Sequence, residues 1–284
     1  MKQIMINETC NGCGMCIVKC PGYFEENADG DAQVISGILA DETDAVLKEV
    51  LSQCPVHAIS LGENVDVKQS MQKELDKLIE NIKKEGRVPR LFLHSCCAPC
   101  SSYVLEYLSQ YFEITVFFYN PNISLEEEYR KRVAEIRRLV SEMPFTHPVH
   151  IEEGTYDPQV FYEMAKGMEK VPEGGERCFK CYRLRMEEAA KLAEEGGYDY
   201  FTTTLSISPL KNAEKINEIG EELAEIYKVP HLPSDFKKKN GYKRSIELSH
   251  EYDLYRQNYC GCVFSKREQE EKLKQKQISE GSAL

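Results

Sequence analysis

The sequence lacks any apolar run long enough to cross a membrane. No window approaches the ~20 apolar residues that a membrane helix requires, and the opening MKQIMINETCNGCG has no long apolar core behind its charge. It also lacks an internal repeat and a low-complexity tract. These absences, together with 42% hydrophobic and 29% charged residues in 284, predict a folded cytoplasmic protein.

Acidic residues outnumber basic residues, 47 to 36, and the excess is concentrated at one end of the chain. The net charge is −11, and residues 1–66 contain 11 acidic and three basic residues, so the rest of the chain is almost balanced. A uniformly acidic protein would be a poor partner for nucleic acid. Basic runs occur at 130–132, 137–138, 237–239 and 243–244. Each run by itself is typical of a solvated helix face, but together they leave a nucleic-acid partner open.

The apolar pattern divides the chain into two domains joined by a helix. Residues 1–66 form a compact, cysteine-rich unit, and helical spacing from Val67 to Glu85 predicts a linker over 67–88. In 89–284 the runs RLFLHS, EITVFFYN, HPVHIE, YDYFTTTL and VPHLP alternate with helical patterns. This alternation predicts an α/β domain with a parallel sheet and helices on both faces. We expect the preceding unit to be a small α+β domain. Sites in such sheets lie at the carboxyl ends of the strands.

Twelve cysteines in a reducing compartment favour metal ligands or redox thiols over disulfides. The first domain contains CNGCGMCIVKCP, and QCPVHAI adds one further cysteine. This supply permits one 4Fe-4S cluster bound by Cys10, Cys13, Cys16 and Cys54, with Cys20 left over. The pattern resembles single-cluster bacterial ferredoxins, and zinc is the alternative, although four-cysteine zinc sites usually show two separated CxxC pairs. We expect this domain to carry electrons.

The second domain contains seven cysteines in three short motifs. They are Cys96, Cys97, Cys100, Cys178, Cys181, Cys260 and Cys262. The first three follow a predicted strand, at the turn where nucleotide-binding relatives of this architecture have glycines for a phosphate. A cubane cluster takes at most four cysteines, so three remain for part of a second metal site or for reactive thiols. A vicinal disulfide or a thiol redox relay is a further alternative.

Four segments of the second domain resemble one enzyme family. HSCCAPCS, RCFKCYRLR, DFKKKNGYKRS and LYRQNYCGCVFS together resemble the cobalamin-independent epoxyqueuosine reductases, the QueH family, over about Pro89 to Arg267. The resemblance implies reduction of epoxyqueuosine in tRNA to queuosine, the last step in making the wobble base of the Asp, Asn, His and Tyr tRNAs. It also implies a 4Fe-4S cluster beside a mononuclear iron, in agreement with seven thiols. The first domain is not part of the family's minimal pattern.

The chemistry of the reaction suggests roles for several residues. Converting an epoxide to an alkene needs two electrons, protons and a group that holds the departing oxygen. We expect electrons from an upstream donor to enter at the first domain's cluster and to reach the substrate through the second cluster and an iron that polarises the oxygen. Asp235 is a candidate oxygen ligand, or alternatively a helix N-cap. Tyr259, Tyr182 and His94 are candidate proton donors, with packing or structural roles as alternatives.

Neighbouring polar residues suggest contacts with tRNA. Arg183 and Arg185 follow Cys181 and would meet phosphates or developing negative charge, unless they form surface ion pairs. The run TTTLSISP, Thr202 to Pro209, offers hydroxyls at the same predicted sheet edge. Two other functions compete with the reductase. A tRNA-thiolating enzyme would need a phosphate loop such as SGGxDS where this chain has HSCCAPCS, and an electron carrier would not need so large a second domain.

Overall fold

The computed structural model describes residues 2–7, 9–10, 12–27, 31–35, 39–41, 44–56, 58–62 and 71–281. The chain divides into two compact units, Met1–Ser70 and Met71–Leu284. Among the described residues, no helix combines the length and the apolar character needed to cross a membrane.

The first unit contains two small antiparallel sheets. In the larger one, β1 (Lys2–Ile6) lies between β4 (Leu39–Ala40) and β5 (Ile59–Gly62). In the smaller one, β2 (Phe24–Glu26) pairs with β3 (Ala32–Val34). Register is set at the centre of β1, because its buried Ile4 lies opposite Leu61.

The described residues of the first unit also form two helices, α1 (Met15–Lys19) and α2 (Ala45–Gln53). The carboxylate of Asp44 begins α2 by accepting hydrogen bonds from the amides of Val46 and Leu47, at 2.8 and 3.2 Å. The buried face of α2 then packs with the sheet residues into one small core. The α+β architecture predicted for this part of the chain is therefore confirmed.

The second unit is built on a four-stranded sheet in which every neighbouring pair is parallel. The strands are β6 (Arg90–His94), β7 (Glu113–Phe118), β8 (Val149–Glu153) and β9 (Tyr200–Thr203), in the spatial order β8-β7-β6-β9. The parallel sheet predicted from the alternating runs is confirmed. The fifth run, VPHLP, contributes only an isolated bridge, between His231 and Phe201.

Helices surround this sheet. They are α3 (Met71–Glu85), α4 (Ala98–Leu108), α5 (Glu126–Glu142), α6 (Pro158–Ala165), α7 (Glu176–Glu195), α8 (Ala213–Tyr227), α9 (Gly241–Glu251) and α10 (Val263–Gly281). A short 3-10 turn, Thr204–Ile207, follows β9. Residues 67–70 of the predicted linker helix lie outside the described residues.

Helices cover both faces of the sheet, as predicted. Successive residues of a strand point to opposite faces, so Leu91 and Leu93 of β6 pack with α3, α4 and α5, and Phe92 packs with α7 and α8. The near-continuous apolar character of β6 follows from this double burial. In α3, the apolar stripe of Leu75, Ile79 and Ile82 is buried in the first of these cores.

Candidate metal centre

The candidate site lies where the strand order of the second unit reverses. β6 and β9 are adjacent, with His94 opposite Thr203 at their carboxyl ends. Chain connections leave β6 and β9 toward opposite faces of the sheet, which opens a crevice at this edge. Cys96 and Cys97 follow β6 directly, and Thr204 follows β9. The Thr204 hydroxyl accepts a hydrogen bond from the Cys96 amide and lies 3.4 Å from the Cys96 Sγ.

A cavity of about 370 Å³ opens at this crevice, and all seven cysteines of the second unit line it. Cys96, Cys97 and Cys100 come from the β6–α4 turn and the first turn of α4. The other four come from α7 and from the loop before α10, and they are Cys178, Cys181, Cys260 and Cys262. Residues far apart in the sequence therefore meet in one cavity.

The first three cysteines form a tight triad. The Sγ atoms of Cys96, Cys97 and Cys100 all lie within 4.8 Å of one another, and those of Cys96 and Cys97 are 3.8 Å apart. A metal–thiolate bond is about 2.3 Å long, so sulfurs at this spacing suit a single ion. Hydrogen bonds from the thiols of Cys100 and Cys97 hold the pKa of Cys96 well below its usual value, with Lys211 contributing further. Cys96 is thus favoured as a thiolate, the form that binds metal.

The remaining four cysteines form a second group. Cys178 and Cys181 are about one turn apart on α7. Cys260 and Cys262 flank Gly261, whose φ of 119° is a conformation that other residues rarely adopt. Burial and then the charge of Cys260 raise the pKa of Cys262 to about 12. The sulfurs of this group therefore lie close enough to influence one another.

Cations line the cavity of this otherwise acidic protein. They are Arg132, Arg177, Arg185, Lys211 and Arg256, and Glu173 is the one carboxylate among the described lining residues. Several buried polar atoms of the lining have no hydrogen-bond partner within the described part of the chain. They are Arg132 Nη2, Arg185 Nη2, Asn122 Oδ1 and Gln257 Oε1. Buried polar groups are nearly always bonded, so these atoms indicate a ligand.

Both candidate tyrosines line the cavity. Tyr182 is buried beside Cys181 on α7, and burial raises its pKa well above the usual range. Tyr259 is half-buried, and the Arg132 guanidinium lies 5.5 Å from the centroid of its ring. Arg132 belongs to a basic run interpreted above as a solvated face, but its side chain is buried. That interpretation is wrong for Arg132.

His94 and Asp235 do not line the cavity. His94 is fully buried, its Nδ1 lies 2.8 Å from Thr203 Oγ1, and its Nε2 lies 3.0 Å from the Tyr119 carbonyl oxygen. Burial, followed by the charge of Arg185, lowers the pKa of His94 to about 3. Asp235 is buried and pairs with Lys237 at 2.6 Å. It is also not a helix N-cap, because the next helix begins at Gly241.

The two arginines of α7 have different surroundings. Arg183 forms a surface ion pair with Glu222, whereas Arg185 is buried and lines the cavity. In the run from Thr202 to Pro209, Ser208 and Pro209 also reach the lining. Sequence reasoning did not single out Lys211 or Asn122, because neither lies in a cysteine motif.

The first unit has a smaller, mostly apolar cavity of about 20 Å³ that Cys10, Cys13, Cys16 and Cys54 all line. Positive φ angles of 66° at Gly12 and 70° at Gly14 turn the chain between successive cysteines. Cys54 Sγ accepts a hydrogen bond from the Ala58 amide at 3.2 Å, a contact typical of cluster sulfurs. Cys20 is buried but does not line this cavity.

Comparison with known proteins identifies similar sequences for both units. A family model described as "Epoxyqueuosine reductase QueH" matches residues 91–268, and one described as "4Fe-4S single cluster domain" matches residues 7–61. Several curated relatives carry the name Epoxyqueuosine reductase QueH. The relative from Staphylococcus epidermidis is 45% identical over 74% of this chain and 90% of its own length. Those from Streptococcus pyogenes and Staphylococcus aureus are 42% and 44% identical, over 72% and 71% of this chain and 82% and 86% of their own lengths.

Proposed function

This chain belongs to the epoxyqueuosine reductase QueH family, and from that premise we propose that it reduces epoxyqueuosine in tRNA to queuosine. The matched region contains the sheet except Arg90, the cavity lining except Gln269, and all seven cysteines of the cavity. The observation that carries the proposal is the meeting of these cysteines at the point where strand order reverses. The enzyme is then an oxidoreductase that completes the wobble base of the Asp, Asn, His and Tyr tRNAs. We place it in the cytoplasm with its tRNA substrate, and it needs no cobalamin.

The two groups of sulfurs suit two different metal sites. We assign the mononuclear iron to Cys96, Cys97 and Cys100, because their Sγ atoms are within 4.8 Å of one another. A 4Fe-4S cluster would bind one thiolate at each of its four irons, which keeps the cysteine sulfurs farther apart, so we assign such a cluster to Cys178, Cys181, Cys260 and Cys262. The cationic lining and its unpaired guanidinium nitrogens fit such anionic centres. When bound, these groups supply single electrons and a Lewis acid for the departing oxygen.

The reaction consumes two electrons and two protons, breaks both C–O bonds of the epoxide, and releases the oxygen as water. The cavity, of about 370 Å³ without metals, opens to the outside where a base turned out of the tRNA loop could reach the metal centres. Tyr259 offers an aromatic face and a hydroxyl at the wall, and its raised pKa keeps that hydroxyl protonated. Lys211 and Arg256, which are partly exposed at the lining, are suited to tRNA phosphates.

We assign His94 and Asp235 to the scaffold beneath the site. Both ring nitrogens of His94 have partners, so the ring holds Thr203 and Tyr119 in place at the ends of the strands. Lys237 pairs with Oδ1 of Asp235, and Oδ2 is buried without a hydrogen-bond partner among the described residues. Neither residue faces the cavity in which the substrate would react.

We also propose a division of labour along the chain. Residues 1–66 form a ferredoxin-like domain with a 4Fe-4S cluster at Cys10, Cys13, Cys16 and Cys54, residues 67–88 a helical linker, and residues 89–284 the catalytic domain. The cavity common to the four cysteines and the hydrogen bond to Cys54 support a cluster there. An upstream donor would deliver electrons to this cluster, which would pass them on to the catalytic domain.

The reaction is tested with full-length protein purified and reconstituted with iron and sulfide without oxygen. The protein is incubated with epoxyqueuosine-containing tRNA and dithionite, without cobalamin, and the digested tRNA is analysed by mass spectrometry. We expect queuosine to form with the iron-loaded protein and not with protein stripped of iron. The Cys96→Ser variant should lose the activity, and Cys20→Ser, at a cysteine outside both cavities, should keep it. Iron-loaded protein that oxidises dithionite but forms no queuosine would contradict the proposal.

A further inference from the structure

Arg185 is a buried cation without an acidic partner. Its side chain is 1% exposed, yet Nε donates to the Cys181 carbonyl oxygen and Nη1 to Asn120 Oδ1, both at 3.2 Å, and both acceptors are neutral. Nη2 has no hydrogen-bond partner within the described part of the chain. The guanidinium charge is therefore not balanced by any group that it bonds.

The other buried arginines of the cavity are balanced. Arg132 pairs with Glu128 at 2.8 Å, and Arg177 pairs with Glu268 at 3.5 Å. A buried charge without compensation is strongly destabilising, since it has lost its hydration. The structure therefore places at Arg185 a positive charge that some other anion must offset.

Arg185 lines the same cavity as the cysteines of both groups, and its Nε bonds the backbone of one of them, Cys181. Burial opposes the charge of Arg185, but the electrostatic influence of Cys181, Cys260 and Cys96 more than offsets this, so the pKa of Arg185 lies above its ordinary value. Cys181 and Cys260 belong to the group of four, and Cys96 belongs to the triad. The charge of Arg185 thus acts on both groups of cysteines.

We propose that Arg185 is the counter-charge of the metal–thiolate centre and sets the potential at which that centre accepts an electron. A cation in a low-dielectric site stabilises the reduced, more negative state of a cluster more than the oxidised state. Removing the charge should therefore make the centre harder to reduce. The inference rests on the proposed function only in assigning iron to these cysteines.

The test is a redox titration of the full-length, iron-loaded protein, followed by electron paramagnetic resonance in the absence of tRNA. In Arg185→Gln we expect the ratio of reduced to oxidised second cluster at a fixed potential to fall at least tenfold. For one electron, this corresponds to a midpoint potential lowered by about 59 mV. In Arg185→Lys, which keeps the charge, the second cluster should have a midpoint potential close to that of the unsubstituted protein. The matched control is Arg183→Gln, which removes an exposed arginine two residues away on the same helix. The first domain's cluster should titrate unchanged in every variant and serves as an internal reference.

A second variant leaves Arg185 in place. Asn120→Asp keeps the size of the residue but puts a carboxylate against Nη1, which should neutralise the guanidinium and lower the potential in the same direction. If Arg185→Gln loses iron and Arg185→Lys retains it, this result also supports the proposal that the metal centre requires a positive charge at position 185. An unchanged midpoint in iron-loaded Arg185→Gln would overturn the proposal. Iron loss in both arginine variants, with an unchanged midpoint in Asn120→Asp, would overturn it as well.

The readout separates this proposal from the proposed function. The potential is measured on iron alone, so a shifted potential in a protein that makes no queuosine keeps the role of Arg185 and contradicts the reaction. Queuosine formation by the parent protein, with an unshifted potential in Arg185→Gln, would support the reaction and contradict the role of Arg185.

Discussion

Sulfur positions distinguish the cysteines of the second unit at the scale of single residues. The triad's Sγ atoms lie within 4.8 Å of one another, and no other group of three or more histidine, cysteine or acidic side chains among the described residues is as tight. The four cysteines of α7 and the loop before α10 line the same cavity at wider spacing. Closely spaced sulfurs suit the ligands of a single metal ion, and more widely spaced sulfurs suit the ligands of a 4Fe-4S cluster.

Single substitutions should therefore remove different amounts of iron. We expect Cys100→Ser to lose about one iron per chain, because it removes one of three ligands of a single ion. Cys181→Ser should lose about four, because a cube with a missing corner ligand is less stable. Iron analysis and Mössbauer spectroscopy of the anaerobic proteins measure both quantities.

The control for these two variants is Cys20→Ser, which replaces a buried cysteine that lines neither cavity. It should retain the full iron content. Loss of the cluster from Cys100→Ser, with the cluster retained in Cys181→Ser, would reverse our assignment of the two metals.

At the scale of elements, helix α7 presents one face to the cavity. Cys178, Cys181, Tyr182 and Arg185 are spaced by three, one and three residues, which places them on one side of a helix. Arg183 lies off this face and pairs with Glu222 on the surface. The helical period thus explains why two arginines in one motif have different surroundings.

Helix α9 forms another wall of the cavity, with Tyr242 and Ser245 in the lining. Its first residue, Gly241, lies so close to the preceding turn and to α4 that an added Cβ would meet the Phe236 carbonyl oxygen and the Tyr103 ring. The carbonyl oxygen is backbone and has no rotamer by which to move away. We expect Gly241→Ala to lower the free energy of unfolding by about 1–3 kcal/mol, as measured by urea denaturation.

The same substitution at Gly22 provides the comparison. An added Cβ at Gly22 meets no atom within 4 Å, and its φ is not in the left-handed region. Gly22→Ala should leave the unfolding free energy almost unchanged. Equal effects of the two substitutions would mean that the close approach of Gly241 to α4 does not limit stability.

At the scale of the whole molecule, charge and metal sites are distributed unequally. Residues 1–66 have 11 acidic and three basic side chains, and the cavity of the second unit is lined by five cations and one carboxylate. The second unit suits an anionic substrate such as tRNA. The first unit has a candidate cluster site in a cavity of about 20 Å³.

This distribution predicts what the first unit contributes to turnover. Removing residues 1–66, or replacing Cys10 and Cys13 by serine in the full chain, should slow queuosine formation with a protein or viologen donor. Both changes should leave the iron of the second unit in place, because its seven cysteines come from residues 96–262. Turnover rates and iron content measure the two effects. Unchanged turnover in both proteins would refute electron entry through the first unit.

Local sequence pattern was sufficient for the architecture. Four apolar runs, from RLFLHS to YDYFTTTL, predicted the four parallel strands, because double burial requires strands that are apolar on both faces. The run VPHLP was predicted as a fifth strand, but it forms only an isolated bridge between His231 and Phe201. The motifs also identified residue types suited to metal, because CxxC and CGC spacings place thiols within reach of one ion or cluster.

Only the tertiary structure decided how these residues are grouped. It placed Cys96, Cys97 and Cys100 within 4.8 Å and the other four cysteines apart from them. It enclosed His94 and Asp235 outside the cavity, and it left Arg185 buried beside thiolates while Arg183 remained exposed. The physical reason is that secondary structure follows from neighbours along the chain. The distance between residues as far apart as Cys96 and Cys260, and the burial of each, depend on how whole elements pack.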